Sequence, residues 1–543
     1  MLHQRLSSVL LPVILPFAQW CAAAETDSKE RGAGIYVQKC QVCHQAGGGG
    51  VPNVFPPLAA SDFLAKERER AIKALCEGMT GRITVNGVTY DGQMPAQALD
   101  DRSVADVLNY VGSELGNKVP EFTEKEVSEV RAKTKFPTYS KLVAAMEFAP
   151  LPRPPEGFAI REVVRLPDDE FGTRMAARNG RVWMLTQKGS VFSLDPVSGA
   201  MERVIAPADY LDLSRGGVQC TGIAVGPDGA LWLTSNQEQR RKDAFPLNEV
   251  VIWRTPPVGA DGKAGKPVAW FRSTYPHGGG FNHGVSHLAF GPDGKLYVSS
   301  GSRTDGGEKP KNHPDSPVGE VDATAAIWRF DLNDAQPQIA TVARGLRNPY
   351  GFAWDGAGNL FSVSNGPDAN APEEMDHILE GRHYGFPYQF SDWSVEKKPY
   401  PHTPEPPPGL KFTLPVKNLG PDGGAGLATF EPHSCPAGMI WCGEDFPEPL
   451  RNSFLVTRYG NLLAESRTSL ADSGFDVLSM KLTPSGDGAW TARTTTVLAP
   501  LGRPIDVVQT APGTVLILEY TRPTNMRDGL GWMPGRIIEL RKR

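Results

Sequence analysis

Two groups of residues in this 543-residue chain have the types and spacing for redox chemistry. The first is Cys40-Gln41-Val42-Cys43-His44, a C-x-x-C-H string. Thiols at this spacing can add to the two vinyl groups of a haem, and the adjoining imidazole is then held under the iron as an axial ligand. A zinc half-site would need a second pair of ligands nearby, and the next cysteine is the lone Cys76. A redox dithiol would need a βαβ setting that the flanking sequence does not offer. The opposite axial ligand should lie downstream, and Gly92-Gln93-Met94-Pro95-Ala96 presents a thioether in a turn-rich stretch where proline stops helix. Met94 is therefore the expected ligand, with Met79 its competitor. The second group is Arg347-Asn348-Pro349-Tyr350-Gly351 followed by Asn365-Gly366-Pro367-Asp368. Asn348-Pro349 and Gly351 prescribe a tight turn entering a strand, so Arg347 is presented at a strand mouth, where a guanidinium fork can bind carboxylates. The turn carbonyls of Gly366 and Pro367 suit a hard cation. The bland readings are a surface arginine cap and an ordinary turn. Arg458 and Arg503 are further cations at expected strand mouths.

The elements that must position these groups fall into two kinds. Around the C-x-x-C-H string the pattern is helical: Ser103 to Val111 spaces apolar side chains like an amphipathic helix behind an Asp/Ser cap cluster. From residue 157 onward it is β-repeat. A short apolar strand recurs at 182–186, 231–235, 296–300, 360–364, 454–458 and 515–519, twice after a Gly-Pro-Asp-Gly turn. Six recurrences at mostly 50- to 65-residue spacing read as a radial array of four-stranded blades, a six-bladed propeller. The longer gap before 454 holds Pro399 to Pro408, read as an inserted loop over one end; strands hidden in that gap would make seven or eight blades. The expected domains are thus a signal segment 1–24, a small helical domain 30–117, a connector 118–156 and the propeller 157–541. The connector's charged part, Glu121 to Lys135, reads as a solvated spacer or a strut, and Pro150 to Pro155 as polyproline-like linker.

Composition sets the outer limits. Forty per cent hydrophobic and 22% charged residues is ordinary globular composition, and 58 Gly plus 48 Pro suits turn-rich β architecture rather than helix bundles. A net charge of −5 argues against nucleic acid as a partner. Arg5, an apolar run from Val9 to Ala18 broken by two prolines, and Ala22-Ala23-Ala24 form a secretory signal, too short to span a bilayer. Export implies a periplasmic protein with no membrane span in the mature chain. Loss of the segment removes Cys21 and leaves six cysteines. In an oxidising compartment Cys435 and Cys442 could pair across six residues, with Cys76 and Cys220 free and buried.

The stretch from Tyr36 through Pro56-Pro57-Leu58 to Tyr110 resembles class I cytochrome c. The resemblance implies a small all-α domain with one covalent haem c, attached through Cys40 and Cys43 and ligated by His44 and Met94. The order of motifs over 157–541 resembles the glucose/sorbosone dehydrogenase family, soluble quinoproteins that bind pyrroloquinoline quinone (PQQ) on a six-bladed propeller. Its specific part is 345–387, including Glu374-Met375-Asp376-His377-Ile378 and Tyr384-Gly385-Phe386-Pro387. By that resemblance Arg347 and Asn348 hold the quinone's carboxylates and carbonyls, and the main-chain oxygens of Gly366 and Pro367 bind the Ca²⁺ that polarises it. His283 falls where the family keeps its catalytic base. A His283/His287 zinc pair would need a helix, which the glycines and following strand deny; a buried structural histidine is the other reading.

The chain also departs from the family. His287 stands where an arginine is expected, Ser302 replaces an aspartate near the base, with Asp305 the substitute that could reach, and a lysine contacting the cofactor is missing near Trp441-Cys442. The leading expectation is a quinohaemoprotein that oxidises a sugar, alcohol or aldehyde and passes electrons through haem c to an external acceptor. The alternatives are a haem protein with a non-catalytic binding propeller, and a Ca²⁺-dependent hydrolase such as a lactonase.

Overall fold

A computed structural model describes residues 28–52, 54–94, 96–97, 99–135, 137–138, 148, 150–167, 169–241, 244–278, 282–309, 317–461, 473–521 and 533–543. The expected signal segment, with Cys21, lies outside the described residues.

The amino-terminal unit is helical apart from one hairpin. Helices Ser28–Lys39 and Asp101–Glu114 cross so closely that a Cβ on Gly32 would meet the Asp106 carbonyl. Asp100 caps the second helix by accepting the Ser103 N–H at 2.7 Å. A pair of hydrogen bonds from the Arg31 guanidinium to the Asp106 carboxylate, at 2.6 and 2.8 Å, and a Tyr36–Tyr110 contact at 5.3 Å fix the crossing. The hairpin Met79–Val85/Val88–Met94 was not anticipated. It makes Met94 the last residue of a strand rather than part of a loop, paired across the ladder with Met79. The unit also extends beyond residue 117. Helix Glu124–Arg131 buries Val127 and Val130 in the same core, and Arg131 is buried against Asp101 and the Leu99 carbonyl. This part of the connector is therefore not a solvated spacer.

The rest is a ring of six sheets. Their first strands are Gly172–Arg178, Val218–Val225, Val285–Phe290, Pro349–Trp354, Pro436–Cys442 and Pro504–Ala511. Each packs on the next and the sixth on the first, so these strands line the axis. All six recurrent apolar segments are the second strands of their blades, buried on both faces between neighbours. The Gly-Pro-Asp-Gly turns join first to second strands in blades 2 and 3, with Gly229 and Gly294 at φ 86 and 74, a conformation glycine adopts without Cβ strain. Blade 4 has three strands. The long gap after it adds no seventh blade: Arg382–His383 lies parallel to the outer strand of blade 3, and Lys417–Pro421 parallel to that of blade 5. The sixth sheet is closed by Phe158–Arg165 from the other end of the chain, paired with Arg536–Lys542.

Candidate functional site

In the amino-terminal unit His44 is buried, and its Nδ1 lies 2.9 Å from the Pro56 carbonyl. A carbonyl can only accept, so Nδ1 carries the proton and Nε2 keeps its lone pair. Burial also lowers the His44 pKa, which favours the neutral ligand form. Cys40 is buried in the same core, and Met94 packs against it, whereas Met79 does not. Cys40 and the Met94 thioether on one core, with Cys43 and the neutral imidazole of His44 in the short helix Gln41–His44 that follows, are a donor set that fits covalent haem.

In the propeller the first strands all enter the axis from the same end, because matching positions meet around the ring: Thr221 bonds the Val285 carbonyl, and Arg174 bonds both the Thr221 carbonyl and Asp506. The residues just before these strands therefore converge. They include Phe171, Gly217, His283, Arg347, Asn348, Cys435 and Arg503.

Ser302 is the hub. Its N–H donates to the Arg347 carbonyl at 2.6 Å and its carbonyl accepts the His283 N–H at 2.9 Å. The Ser302 hydroxyl donates to the Thr304 carbonyl at 2.6 Å, so toward His283 Nδ1, 3.2 Å away, it can only accept. The Ser302 carbonyl, 3.1 Å from the same nitrogen, also accepts. The His283 proton is thus on Nδ1, and Nε2 is the basic atom. Burial first and the Arg347 charge second lower the His283 pKa to about 3, so the ring is neutral. Gly301 is required here: a Cβ would sit 2.5 Å from His283 Cβ and 3.0 Å from Asn348 Oδ1.

Arg347 is buried and donates to the Asn365 carbonyl at 3.3 Å, to the Asp305 carbonyl at 3.2 Å and, in an ion pair, to the Asp305 carboxylate. Burial works against its charge, but Asp305 and Asp368 hold its pKa above the usual arginine value. Asp305 therefore serves Arg347, not His283; it also accepts from the Tyr400 hydroxyl and from the Asp368 N–H. Tyr400 belongs to the proline-rich insertion, which lies over this end as expected. Asn348 donates to Asn365 at 3.2 Å, and its buried Oδ1 has no partner among the described residues. Next in sequence is Gly366, whose N–H lies on the buried Glu373 carboxylate together with the Cys435 N–H and the Ser434 hydroxyl. Burial still raises Glu373 to about 7, and burial with Asp305 raises Asp368 to about 6.

Arg503 is buried between the rings of Tyr459 and Phe475, each 4.9 Å away, and donates to the Gly460 and Asn461 carbonyls. Arg458 is held by two carboxylates: Asp476 takes its fork at 2.8 and 2.7 Å and Glu431 a third N–H at 2.5 Å, so its charge is already matched within the fold. His287 lies half-buried lower on the axis, its ring 4.5 Å from Phe352, with Arg174 nearby. Trp441 and Cys442 end the strand that Cys435 precedes, so the missing lysine cannot be sought there. The same geometry refutes a Cys435–Cys442 disulfide: a seven-residue strand separates the cysteines, both are free thiols, and a bridge needs Cα atoms within about 7 Å. Sequence reasoning gave Asp368 no role of its own, took Cys435 for a disulfide partner, and did not single out Tyr400, Glu373 or Tyr459. Cys435 was accessible to it, since it precedes an axial strand as His283 and Asn348 do.

The donor set fits a quinone bearing carboxylates: two buried guanidinium groups, an amide whose buried oxygen lacks a partner among the described residues, and a glycine-lined strand mouth. Known proteins agree with this division. The Glucose / Sorbosone dehydrogenase family profile matches residues 163–457 and the Cytochrome c profile residues 29–114. The chain belongs to the Glucose / Sorbosone dehydrogenase family and carries a cytochrome c domain, which implies haem c. It is 44% identical over 116 residues to cytochrome c-552 of Thermus thermophilus, covering 20% of this chain and 88% of that protein. It is 29% identical over 115 residues to the cytochrome c subunit of a quinone alcohol dehydrogenase from Gluconacetobacter polyoxogenes, covering 18% of this chain and 22% of that subunit. Among solved structures, the PQQ-bound aldose sugar dehydrogenase of Streptomyces coelicolor superposes with a TM-score of 0.47 at 19% identity, over 72% of this chain and 99% of that one.

Proposed function

We propose that this protein is an exported, periplasmic quinohaemoprotein dehydrogenase that oxidises a sugar, alcohol or aldehyde in the propeller and delivers the electrons to its own haem c. The observation that carries this reading is the hydrogen-bonded network, through Ser302 and Asn365, that joins His283, Arg347 and Asn348 at one end of the axis, with Gly366 next in the chain to Asn365 and its N–H on the Glu373 carboxylate. Arg347, Asn348 and Arg503 would hold PQQ, and the Gly366 and Pro367 carbonyls would hold Ca²⁺. When bound, PQQ with Ca²⁺ as Lewis acid supplies a two-electron acceptor. His283 Nε2 is the atom that takes the substrate's hydroxyl proton, and Ser302 fixes the ring that presents it. Asp305 tempers the positive charge of Arg347, and Tyr400 covers the pair from the insertion.

Purified protein loaded with PQQ and Ca²⁺ and mixed with aldoses, alcohols and aldehydes should develop the reduced haem α-band without added mediator. Absence of PQQ binding by titration, together with a haem that stays oxidised with every donor, would refute this function.

A further inference from the structure

The proposed function needs electrons to pass from the propeller axis to the haem, and the contact between the two units shows where. The helix that ends at Lys39, one residue before the haem-attaching Cys40, lies on the mouths of blades 1 and 2. Lys39 Nζ stands 4.6 Å from the centre of the Phe171 ring. A Cβ built on Gly217 would lie 3.2 Å from a Val37 methyl and 3.6 Å from Val37 Cβ. Burial, and next Lys188 of blade 1, lower the Lys39 pKa to about 8. Phe171 and Gly217 precede the first strands of their blades, as His283, Asn348, Cys435 and Arg503 do in theirs, so the cytochrome unit sits at the site end of the axis and not at the far end.

From that contact a file of rings runs to the candidate cofactor groups. Phe171 meets Tyr520 with centroids 5.0 Å apart, Tyr520 meets Tyr459 at 5.6 Å, and the Arg503 guanidinium covers Tyr459 at 4.9 Å. The backbone holds the file rigid: the Tyr520 N–H donates to the Arg503 carbonyl at 2.7 Å, the Tyr459 N–H to the Cys435 carbonyl at 2.9 Å, and the Gln187 N–H to the Phe171 carbonyl at 2.8 Å while its side chain accepts the Tyr520 hydroxyl at 2.9 Å. All three rings belong to one packed cluster. Electronic coupling is carried by atoms in van der Waals contact and falls steeply across gaps; the three rings pack in one cluster, and the Lys39 side chain continues the path from Phe171 to the residue before Cys40.

We propose that the docked arrangement of the two units is the electron-transfer state, and that Tyr459, Tyr520 and Phe171 form the route from the cofactor end of the propeller to the haem edge at Cys40. This rests on the dehydrogenase reading above. Substrate oxidation leaves two electrons on the propeller cofactor. They leave singly, each with release of one proton to solvent, and each reduces one ferric haem to ferrous; the external acceptor reoxidises the haem between the two. The rings act as a bridge and are not themselves oxidised.

The docking is tested by pairing Val37→Cys with Gly217→Cys. The 3.6 Å separation lies in the disulfide window of about 3.5–4.5 Å between Cβ atoms. Mild oxidation of the full-length haem protein carrying both substitutions should give a disulfide between positions 37 and 217 by peptide mapping, and the locked protein should reduce its haem at least as fast as the unlocked one. Failure to cross-link in a protein with wild-type haem spectrum and melting, or a locked protein that reduces its haem more slowly, overturns the proposal. The route is tested by Tyr520→Leu and Phe171→Leu in the PQQ- and Ca²⁺-loaded protein by stopped flow. Haem reduction should slow by roughly an order of magnitude, about 1.4 kcal/mol of barrier, while a small dye that takes electrons directly from the propeller is reduced as in wild type. Tyr520→Phe, which keeps the ring, should behave as wild type. Unchanged haem reduction in both leucine variants overturns the route. If the dye also stays oxidised in the wild type with every donor, it is the dehydrogenase reading that fails, and the cross-link still judges the docking.

Discussion

At the scale of single residues, His283 decides how the site behaves with pH. Its neighbours withhold the carboxylate that would normally raise the basicity of such a ring. Nδ1 meets a neutral carbonyl and a hydroxyl, while burial and Arg347 lower the pKa to about 3 against an ordinary value near 6.5. A value lower in the folded than in the unfolded protein means that the unfolded chain binds more protons between these limits. The neutral ring's contribution to stability is then complete above 6.5 and is lost as pH falls toward 3. In the folded protein Nε2 is free to accept a proton throughout pH 5–9. The pH profile of kcat/KM for haem reduction should therefore show no limb near 6.5, and His283→Ala should lower turnover by about 10²–10⁴-fold. A limb near 6.5 that vanishes in His283→Ala would show that the ring is more solvated than its packing implies. An unchanged rate in that variant would remove it as the base.

At the scale of elements, the axial strands are tied by a buried ion pair that sequence periodicity could not reveal. Arg174 on the first blade bonds Asp506 on the sixth at 3.0 Å, donates to the Tyr350 carbonyl from the fourth at 2.7 Å and lies 4.8 Å from the Tyr350 ring. Asp506 also accepts the Met175 N–H at 2.6 Å, and burial alone raises its pKa. Arg174→Ala leaves that carboxylate buried without its cation, which costs about 3–5 kcal/mol. Urea unfolding followed by tryptophan fluorescence should show it, and a loss under about 1 kcal/mol would mean that Asp506 takes up a proton instead. What the sequence made legible, and what it hid, follows the same division. The six second strands were visible because burial on both faces makes them unbroken apolar runs, such as Leu231–Leu233. The first strands were obscure because they carry polar and glycine residues toward the axis, such as Gly222, Gly351 and Gly438, where a Cβ would collide with the next strand. The site was half legible for that reason. Motifs gave His283, Arg347 and Gly366, and the spacing after Ser302 brought in Asp305, though as a partner of His283 rather than of Arg347, whereas Tyr400 and Glu373 reach the site through tertiary contacts that no local spacing encodes. Likewise the alternation of charge in Glu124–Arg131 suggested a spacer, and only packing shows Val127 and Val130 facing the cytochrome core.

At the scale of the whole molecule, the ring is closed by pairing distant parts of the chain. Phe158–Arg165, which leads in from the cytochrome, is held in the sixth sheet only through Arg536–Lys542. Ile537, Ile538 and Leu540 of that partner strand are fully buried, and Arg536 binds Glu519 at 2.7 Å and Glu162 at 3.1 Å, joining three strands of the blade. Deleting residues 536–543 removes the third strand of the blade, strips the partner from the strand that tethers the cytochrome, and leaves Glu519, which has no exposure, facing an empty edge. The first and sixth blades then lose their common closure, and an open ring exposes the edges of both. The cytochrome unit has its own core and no element in that sheet. The truncated protein should thus keep the haem spectrum and haem-linked melting of the full chain, while the propeller loses its cooperative calorimetric transition and aggregates. A propeller that still melts in one transition at the full-length temperature would mean that closure is not what holds the blades together.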